Sequence, residues 1–291
     1  MISSLFRPVL VGRPFGIPVR VMPAVVLLTL FLLASVAGGP TPPAEGYAPG
    51  AAPDTSGNFL LTLGLLAVLG FSLLAHELSH ALVAQRVGYR VVDIVIWPFG
   101  GMARMEGIAS RPRAEAKVAL AGPLANLVLA ALLLPLPGNF FLYAGGMNLI
   151  LGLGNLIPAF PLDGGRVLRS FLCRHSPLAD ATRAVTSFAS WVAAGILLLA
   201  ASAGSLFVGI LFALYIWFVG RMELVQVILR TGQAPTLTPG QVFARFFKGI
   251  QGDGEEPTIE SEVHPPDSDG ATSEELENFQ GNLDEFFKHK R

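Results

Sequence analysis

Long apolar runs alternate along the chain with short polar segments or segments rich in glycine and proline. Six runs approach the roughly 20 residues that a helix needs to cross a bilayer; they are Val19–Gly38, Phe59–Val83, Val118–Leu136, Phe140–Ile157, Ala184–Ala203 and Leu206–Leu229. The fourth run is short and rich in glycine, which favours close packing between helices. The pattern predicts an all-α polytopic integral membrane protein with about six transmembrane helices.

The segment "YRVVDIVIWPFGGMARMEG", Tyr89 to Gly107, departs from this pattern. It is rich in β-branched residues, interrupted by Pro98 and by Gly100-Gly101, and too polar to span a membrane. These features predict a small membrane-associated β-hairpin after the second helix. An exposed edge strand there could capture an extended peptide; the alternative is a hairpin that only connects two helices.

The composition supports the membrane assignment. Of 291 residues 52% are apolar and only 14% are charged, whereas soluble domains carry about a quarter charged residues. The segment Gly252–Arg291 holds 12 of the 21 acidic residues and three basic ones. Two parts are therefore expected: a six-span membrane domain over residues 1–230, and an acidic, largely disordered cytosolic tail over residues 231–291. Short helices within the tail are expected near Gln241–Ile250 and Glu274–Lys290.

The positions of Lys and Arg predict the orientation of the chain. The connections Gly39–Asn58, Pro137–Asn139 and Ser202–Ser205 contain neither residue, and all 20 basic residues lie on the opposite side of a six-span arrangement. By the positive-inside rule, the protein is expected to be a multi-pass protein of the cell membrane with both termini in the cytosol. A signal peptide cleaved near Gly38 is the alternative for the first run, and its cleavage would not invert the later spans.

A cluster of ionisable residues, His76-Glu77-Leu78-Ser79-His80, closes the second apolar run. Residues at positions i and i+4 of a helix lie on one face, about 6 Å apart along the axis. His76 and His80 could therefore hold one Zn²⁺, with Glu77 beside the open position of the metal as a general base. Such residues in an apolar helix are costly unless paired, coordinated or hydrated, which favours a functional role.

A catalytic zinc ion held by two histidines needs a third protein ligand. Asp163 is favoured, because it lies in "NLIPAFPLDGGR" at the end of the fourth run, after two prolines that block a helix and before two glycines that allow a tight fold. The alternative is an ordinary aspartate in a Pro-Gly turn. Other candidates are Asp93, Glu106, Glu115, His175, His264 and His289, with Glu223 as the candidate for an unrelated type of membrane zinc protease.

The motifs "HELSH" and "NLIPAFPLDGGR" together resemble the site-2 protease family of intramembrane zinc metalloproteases. The resemblance extends to "PFGGMARM" and to "GPLANL", Gly122 to Leu127, and covers roughly Pro14 to Arg230. It implies one Zn²⁺ per chain with His76, His80 and Asp163 as ligands, Glu77 as the general base, and Asn155 as a donor to the scissile carbonyl or its oxyanion. The chain shows neither the PDZ domain nor the CBS domains that some members of the family carry.

The function implied by this resemblance is hydrolysis of peptide bonds within the transmembrane segments of single-span membrane proteins. The lipid bilayer is the expected surroundings, and no nucleic-acid partner is expected. A metal transporter, or a zinc-binding membrane protein without protease activity, is the alternative. Asn148, seven residues before Asn155, is expected either to line the substrate cleft or to make a hydrogen bond between helices. Asn126 is expected to be structural.

Overall fold

A computed structural model describes residues 7–37, 56–98, 100–105 and 111–251. The chain divides into two compact units, Met1–Asn155 and Leu156–Arg291. Glu106, most of the Gly39–Asn58 connection, and the tail beyond Gln251 lie outside the described residues. The expectations made for the tail, including a helix near Glu274–Lys290, therefore stay predictions.

The first unit contains four helices: α1 (Pro23–Ala37), α2 (Ser56–Arg86), α3 (Pro112–Leu133) and α4 (Asn139–Asn155). α2 packs against the other three, and α3 packs along α4. Two glycines of α4 permit the close approach that the sequence predicted. A Cβ at Gly145 would collide with Leu134, and a Cβ at Gly152 would collide with the Leu127 side chain.

A four-stranded sheet completes the first unit, with strands β1 (Val9–Gly12), β2 (Val19–Val21), β3 (Val91–Trp97) and β4 (Gly100–Met105) in that spatial order. β3 and β4 form the predicted antiparallel hairpin, and β4 is an edge of the sheet. β2 pairs in parallel with β3. Val19 to Val21 are thus a strand, and the expectation that the first span begins at Val19 is wrong; the helix begins at Pro23.

The sheet is fixed to α2 by apolar contacts and crossed by a charged cluster. Ile17, Val19 and Ile94 pack with Ala81 of α2. Asp93 is 2% exposed and pairs with Arg20 at 3.0 Å and, in a bidentate arrangement, with Arg104. The hydrogen bonds from Arg104, with the charges of Arg104 and Arg20, hold the pKa of Asp93 below its ordinary value although burial alone would raise it.

The second unit contains α5 (Asp163–Leu172), α6 (Leu178–Ser202), α7 (Leu206–Thr231) and α8 (Pro239–Gln251). α6 packs along α7, and α8 packs on α5 and α6. The short helix expected near Gln241–Ile250 is therefore present. Its Phe243 and Phe246 face the unit's apolar core, whereas Phe247 is exposed.

Four helices among the described residues are long and apolar enough to cross a membrane: Phe59–Arg86 within α2, Pro112–Leu133, Leu178–Ser202 and Leu206–Thr231. α1 has 15 residues and α4 has 17, so both are shorter than these. The chain is a mostly helical membrane protein with a small sheet, as the sequence predicted. The number of crossings stays a prediction.

Candidate active site

His76 and His80 lie next to each other on one face of α2. Their rings meet edge-on with centroids 4.7 Å apart, and each residue is 6% exposed. The Nδ1 atom of His80 lies 2.6 Å from the backbone carbonyl oxygen of Val118 in α3. A carbonyl oxygen only accepts hydrogen bonds, so Nδ1 of His80 carries a proton, and in the neutral imidazole Nε2 then carries the lone pair.

The Nε2 atoms of the two histidines converge at Gly122 of α3. A Cβ added to Gly122 would come within 3.0 Å of Nε2 of both rings, closer than real Cβ atoms approach other atoms. Glycine therefore leaves open the space in front of the two nitrogens. Two imidazole nitrogens that point into one small space suit a zinc ion, which imidazole binds at about 2.0–2.1 Å.

The carboxylate of Glu77 is held by the edge strand of the sheet. Its Oε2 accepts a hydrogen bond of 2.9 Å from the backbone N–H of Ala103 in β4, and the residue is only 9% exposed. Gly101, two residues earlier in β4, lies so close that a Cβ there would collide with the Glu77 side chain. The base predicted from the sequence is thus positioned by the strand and not by its own helix alone.

Two buried asparagines, one in α3 and one in α4, extend a series of hydrogen bonds away from His76. Oδ1 of Asn126 lies 2.6 Å from Nδ1 of His76, and Nδ2 of Asn126 donates to Oδ1 of Asn148 at 3.0 Å. Asn148 makes a hydrogen bond between helices, as one of its two expected roles predicted. The contact between Asn126 and His76 was missed in the sequence. The signal was present, because Asn126 follows Gly122 by four residues and so shares its helix face.

Asp163 is the first residue of α5 and is 8% exposed. The sequence predicted a proline-broken loop that folds tightly at Gly164-Gly165, whereas the helix begins at Asp163 itself. The two glycines are needed by packing: a Cβ on Gly164 would collide with the Leu156 carbonyl, and one on Gly165 with the backbone of Ala159. These contacts fix the position of Asp163 within the second unit.

Asn155 is the last residue of α4, and its Nδ2 donates to the carbonyl of Leu151, 2.9 Å away. The amide carries a second N–H that this bond does not use. Asn155 is half-buried in the structure, within the first unit.

The other carboxylates considered from the sequence have different surroundings. Asp93 is engaged by Arg20 and Arg104 in the sheet. Glu223 in α7 accepts a hydrogen bond of 2.8 Å from Arg169 of α5. His175 lies against Gly249 and the Phe246 ring of α8, within the second unit. Glu115 is buried near the start of α3; Glu106, His264 and His289 lie outside the described residues.

Comparison with known families gives a match to the model of Peptidase family M50, over residues 64–137 and 135–199. Among curated relatives, Rip3 of Mycobacterium tuberculosis is 41% identical over 138 residues, which is 43% of this chain and 35% of the relative. Zinc metalloprotease MJ0392 of Methanocaldococcus jannaschii is 31% identical over 193 residues, which is 62% of this chain and 56% of the relative. The matches thus span between about a third and somewhat over half of the relatives' own length.

A solved structure is also similar. The site-2 protease from Methanocaldococcus jannaschii aligns with a TM-score of 0.52 and 25% sequence identity, over 80% of this chain and 100% of that one. Family model, curated relatives and solved structure agree with the resemblance seen in the sequence motifs.

Proposed function

This chain matches the model of Peptidase family M50 and is similar in fold to a site-2 protease, and from that premise we propose that it is a membrane-embedded zinc metalloprotease. The observation that carries the proposal is the convergence of His76 and His80 on the space at Gly122, with Glu77 between them in the sequence. Within the part of the chain that the structure describes, four apolar helices are long enough to span a membrane, which supports the proposed surroundings.

In this proposal His76, His80 and Asp163 hold one zinc ion per chain. All three are buried, and they offer two imidazole nitrogens and a carboxylate oxygen. Three such ligands leave a fourth position for water or substrate, whereas structural zinc sites are closed by four protein ligands. A zinc ion bound there would act as a Lewis acid towards water and towards a peptide carbonyl.

Glu77 is the proposed general base. Its carboxylate takes the proton of the attacking water and passes it to the leaving amine. Asn155 is proposed to donate a hydrogen bond to the scissile carbonyl oxygen, where negative charge develops during attack. The N–H that Asn155 does not give to Leu151 supports this role.

The proposed substrates are peptide bonds within the transmembrane segments of single-span membrane proteins. His76 precedes the end of α2 at Arg86 by ten residues, which places it on the order of 15 Å from the end of that helix. A site at this depth suits a bond that lies in the membrane. The backbone of a transmembrane helix is fully hydrogen-bonded, so the substrate must unwind before it is cut.

The edge of β4 is proposed to receive the unwound segment as an added strand. It lies at the outside of the sheet and already contacts Glu77, so a peptide bound there would lie beside the base. A substitution such as Ile94→Pro cannot test this, because Ile94 is buried in the central strand β3. A better test is a series of substrates that each carry one N-methylated residue, placed in turn at successive positions around the cut. Loss of cleavage at every second position would indicate strand pairing, and equal cleavage at all positions would exclude it.

The orientation proposed from the Lys and Arg positions is a multi-pass arrangement with both termini in the cytosol. The residues after α7 would then form a cytosolic tail that begins with α8 and continues into the acidic segment. The cleaved product would be released on the cytosolic side.

The deciding experiment is zinc-dependent cleavage of model single-span proteins by the purified chain in detergent, beside Glu77→Gln. The parent should cut bonds within the span, and Glu77→Gln should be at least about 10²-fold slower with the same zinc content. Cleavage by both proteins at equal rates would contradict the role of Glu77. Zinc binding without cleavage by either one would favour a binding protein over a protease.

A further inference from the structure

His76, Asn126 and Asn148 form a series of hydrogen bonds that ends at a backbone carbonyl of α4. That carbonyl determines which group is the donor and which is the acceptor in each bond of the series. Asn148 donates from Nδ2 to the carbonyl oxygen of Ala144 at 2.9 Å. Side-chain amides are ordinarily ambiguous, since oxygen and nitrogen look alike and either can face a neighbour. Here the ambiguity is removed, because the Ala144 oxygen accepts only and must face the NH₂ group of Asn148.

Each following group is then fixed in turn. Oδ1 of Asn148 faces Asn126, so Asn126 must present its NH₂ group, at 3.0 Å. Oδ1 of Asn126 consequently faces Nδ1 of His76, at 2.6 Å, and this nitrogen must carry a proton. In the neutral imidazole the lone pair of His76 is thereby assigned to Nε2, the atom that lies at Gly122.

We propose that Asn126 and Asn148 are positioning residues for His76, and that Asn148 acts on the metal site without touching it. This inference rests on the proposed role of His76 as a zinc ligand. A histidine that binds a metal generally donates its other ring N–H to an acceptor that fixes the tautomer and the ring orientation. His80 obtains this from the Val118 carbonyl directly, whereas His76 obtains it through two side chains that begin on a different helix.

The burial of the pair supports a specific role. Asn126 and Asn148 are both 0% exposed, inside a membrane protein where polar side chains are tolerated when they are fully paired. An apolar residue at either position would satisfy a helix interface without that requirement. The three helices α2, α3 and α4 are thus joined by a polar connection that ends at a metal ligand.

The test is zinc affinity, measured by chelator competition on the full chain in detergent, with the absorption spectrum of the Co²⁺-substituted protein as a second readout. Asn126→Leu should weaken zinc binding about 10- to 100-fold. Asn148→Leu should weaken it less, because Asn126 keeps its contact with His76 but can turn over. Both variants should alter the Co²⁺ spectrum, which reports ligand geometry and would not respond to a loss of packing alone.

The double variant distinguishes a connected pair from two separate packing defects. If Asn148 acts only through Asn126, Asn126→Leu with Asn148→Leu should bind zinc as Asn126→Leu does alone. Effects that multiply, or an unchanged affinity in Asn126→Leu, would overturn the proposal. Asn126→Asp keeps an oxygen towards His76 but loses the donor to Oδ1 of Asn148, so it should bind zinc more tightly than Asn126→Leu; this variant covers the case in which Asn126→Leu does not fold.

Ser79→Ala is the matched control. Ser79 lies between the two histidines on α2, and its hydroxyl donates to the carbonyl of Ala75 in its own helix. Its zinc affinity should equal that of the parent. If the parent itself does not bind zinc, the proposed function fails; if the parent binds and the asparagine variants bind equally well, only the positioning role fails.

Discussion

The carboxylate of Glu77 and the backbone N–H of Ala103 are joined by a hydrogen bond of 2.9 Å, between the helix that carries the histidines and the edge strand of the sheet. This bond orients the proposed general base by a main-chain N–H, which among substitutions at position 103 only proline would remove. It also occupies a donor on the edge of β4. A substrate strand that paired at Ala103 would compete for that donor, so substrate binding and the position of Glu77 are linked.

Gly101→Ala should impair catalysis without removing the metal. A Cβ at this position would collide with Cγ and Cδ of Glu77, so the carboxylate must move. Displacement of a catalytic group by about 1 Å can cost about 10²-fold in rate. We expect a fall of that order in substrate cleavage, measured with zinc content in parallel.

The matched control for Gly101→Ala is Gly12→Ala, in β1 of the same sheet, where a Cβ would meet nothing within 4 Å. Gly12→Ala should cleave like the parent. If Gly101→Ala did so too, the bond between Glu77 and Ala103 would have no bearing on the reaction.

Gly122→Ala should weaken zinc binding itself. The new methyl group would enter the space between the two Nε2 atoms, and we expect at least about a tenfold loss of affinity. Alanine is the better helix former, so the cause cannot be helix propensity. Chelator competition measures the effect, with Gly146→Ala of α4, whose Cβ would meet nothing within 4 Å, as the control. An affinity equal to that of Gly146→Ala would show that the histidines do not bind metal at Gly122.

Asp93 should make the stability of the sheet depend on pH in the acid range. Its pKa is lowered in the folded state, so its pairing with Arg104 and Arg20 contributes in full above the ordinary carboxyl range. That contribution is lost as the pH falls through the lowered folded pKa. The protection of the β3 and β4 amides against hydrogen exchange, relative to the intrinsic rate at each pH, should therefore fall below about pH 4. In Asp93→Asn the exchange should be faster at neutral pH and should lack this acid-dependent step.

Glu223→Ala should separate stability from metal binding. Glu223 accepts from Arg169, which is 2% exposed, so the variant leaves a buried guanidinium without that partner. The free energy of unfolding should fall by about 1–3 kcal/mol, seen as a lower melting temperature. Zinc affinity should stay at the parent value. If zinc affinity fell by more than the loss of stability explains, Glu223 would have to be reconsidered as a zinc ligand.

Patterns among neighbouring residues predicted part of this fold, but they could not predict features that depend on residues far apart in the sequence. The hairpin of β3 and β4 was predictable, because β-branched residues and a Pro-Gly interruption are neighbours in the sequence. β2 was assigned to a membrane span, because its parallel partner β3 lies about 70 residues away and three apolar residues suit either structure. The helix at Asp163 was hidden by the prolines before it.

The site shows the same division. The spacing of His76 and His80 follows from helix geometry alone and could be read directly. The contact between Asn126 and His76 depends on how α2 and α3 pack, and nothing in either helix by itself specifies that register. The strand that holds Glu77 was predicted as part of the hairpin. Its hydrogen bond to the carboxylate comes from a main-chain N–H, and the pattern of side chains along a strand does not reveal such a contact.

The parallel pairing of β2 with β3 constrains how the chain is threaded. β2 ends just before α1 begins, and β3 begins just after α2 ends. The two strands are hydrogen-bonded in parallel, with Val21 opposite Ile96, so the start of α1 lies at one end of this pair and the end of α2 lies at the other. A parallel pair needs a crossover connection that carries the chain back to the end of the sheet at which the first strand began. Both α1 and α2 lie in this connection, so β2 and β3 cannot pair until the helix that carries the histidines has returned the chain to the sheet.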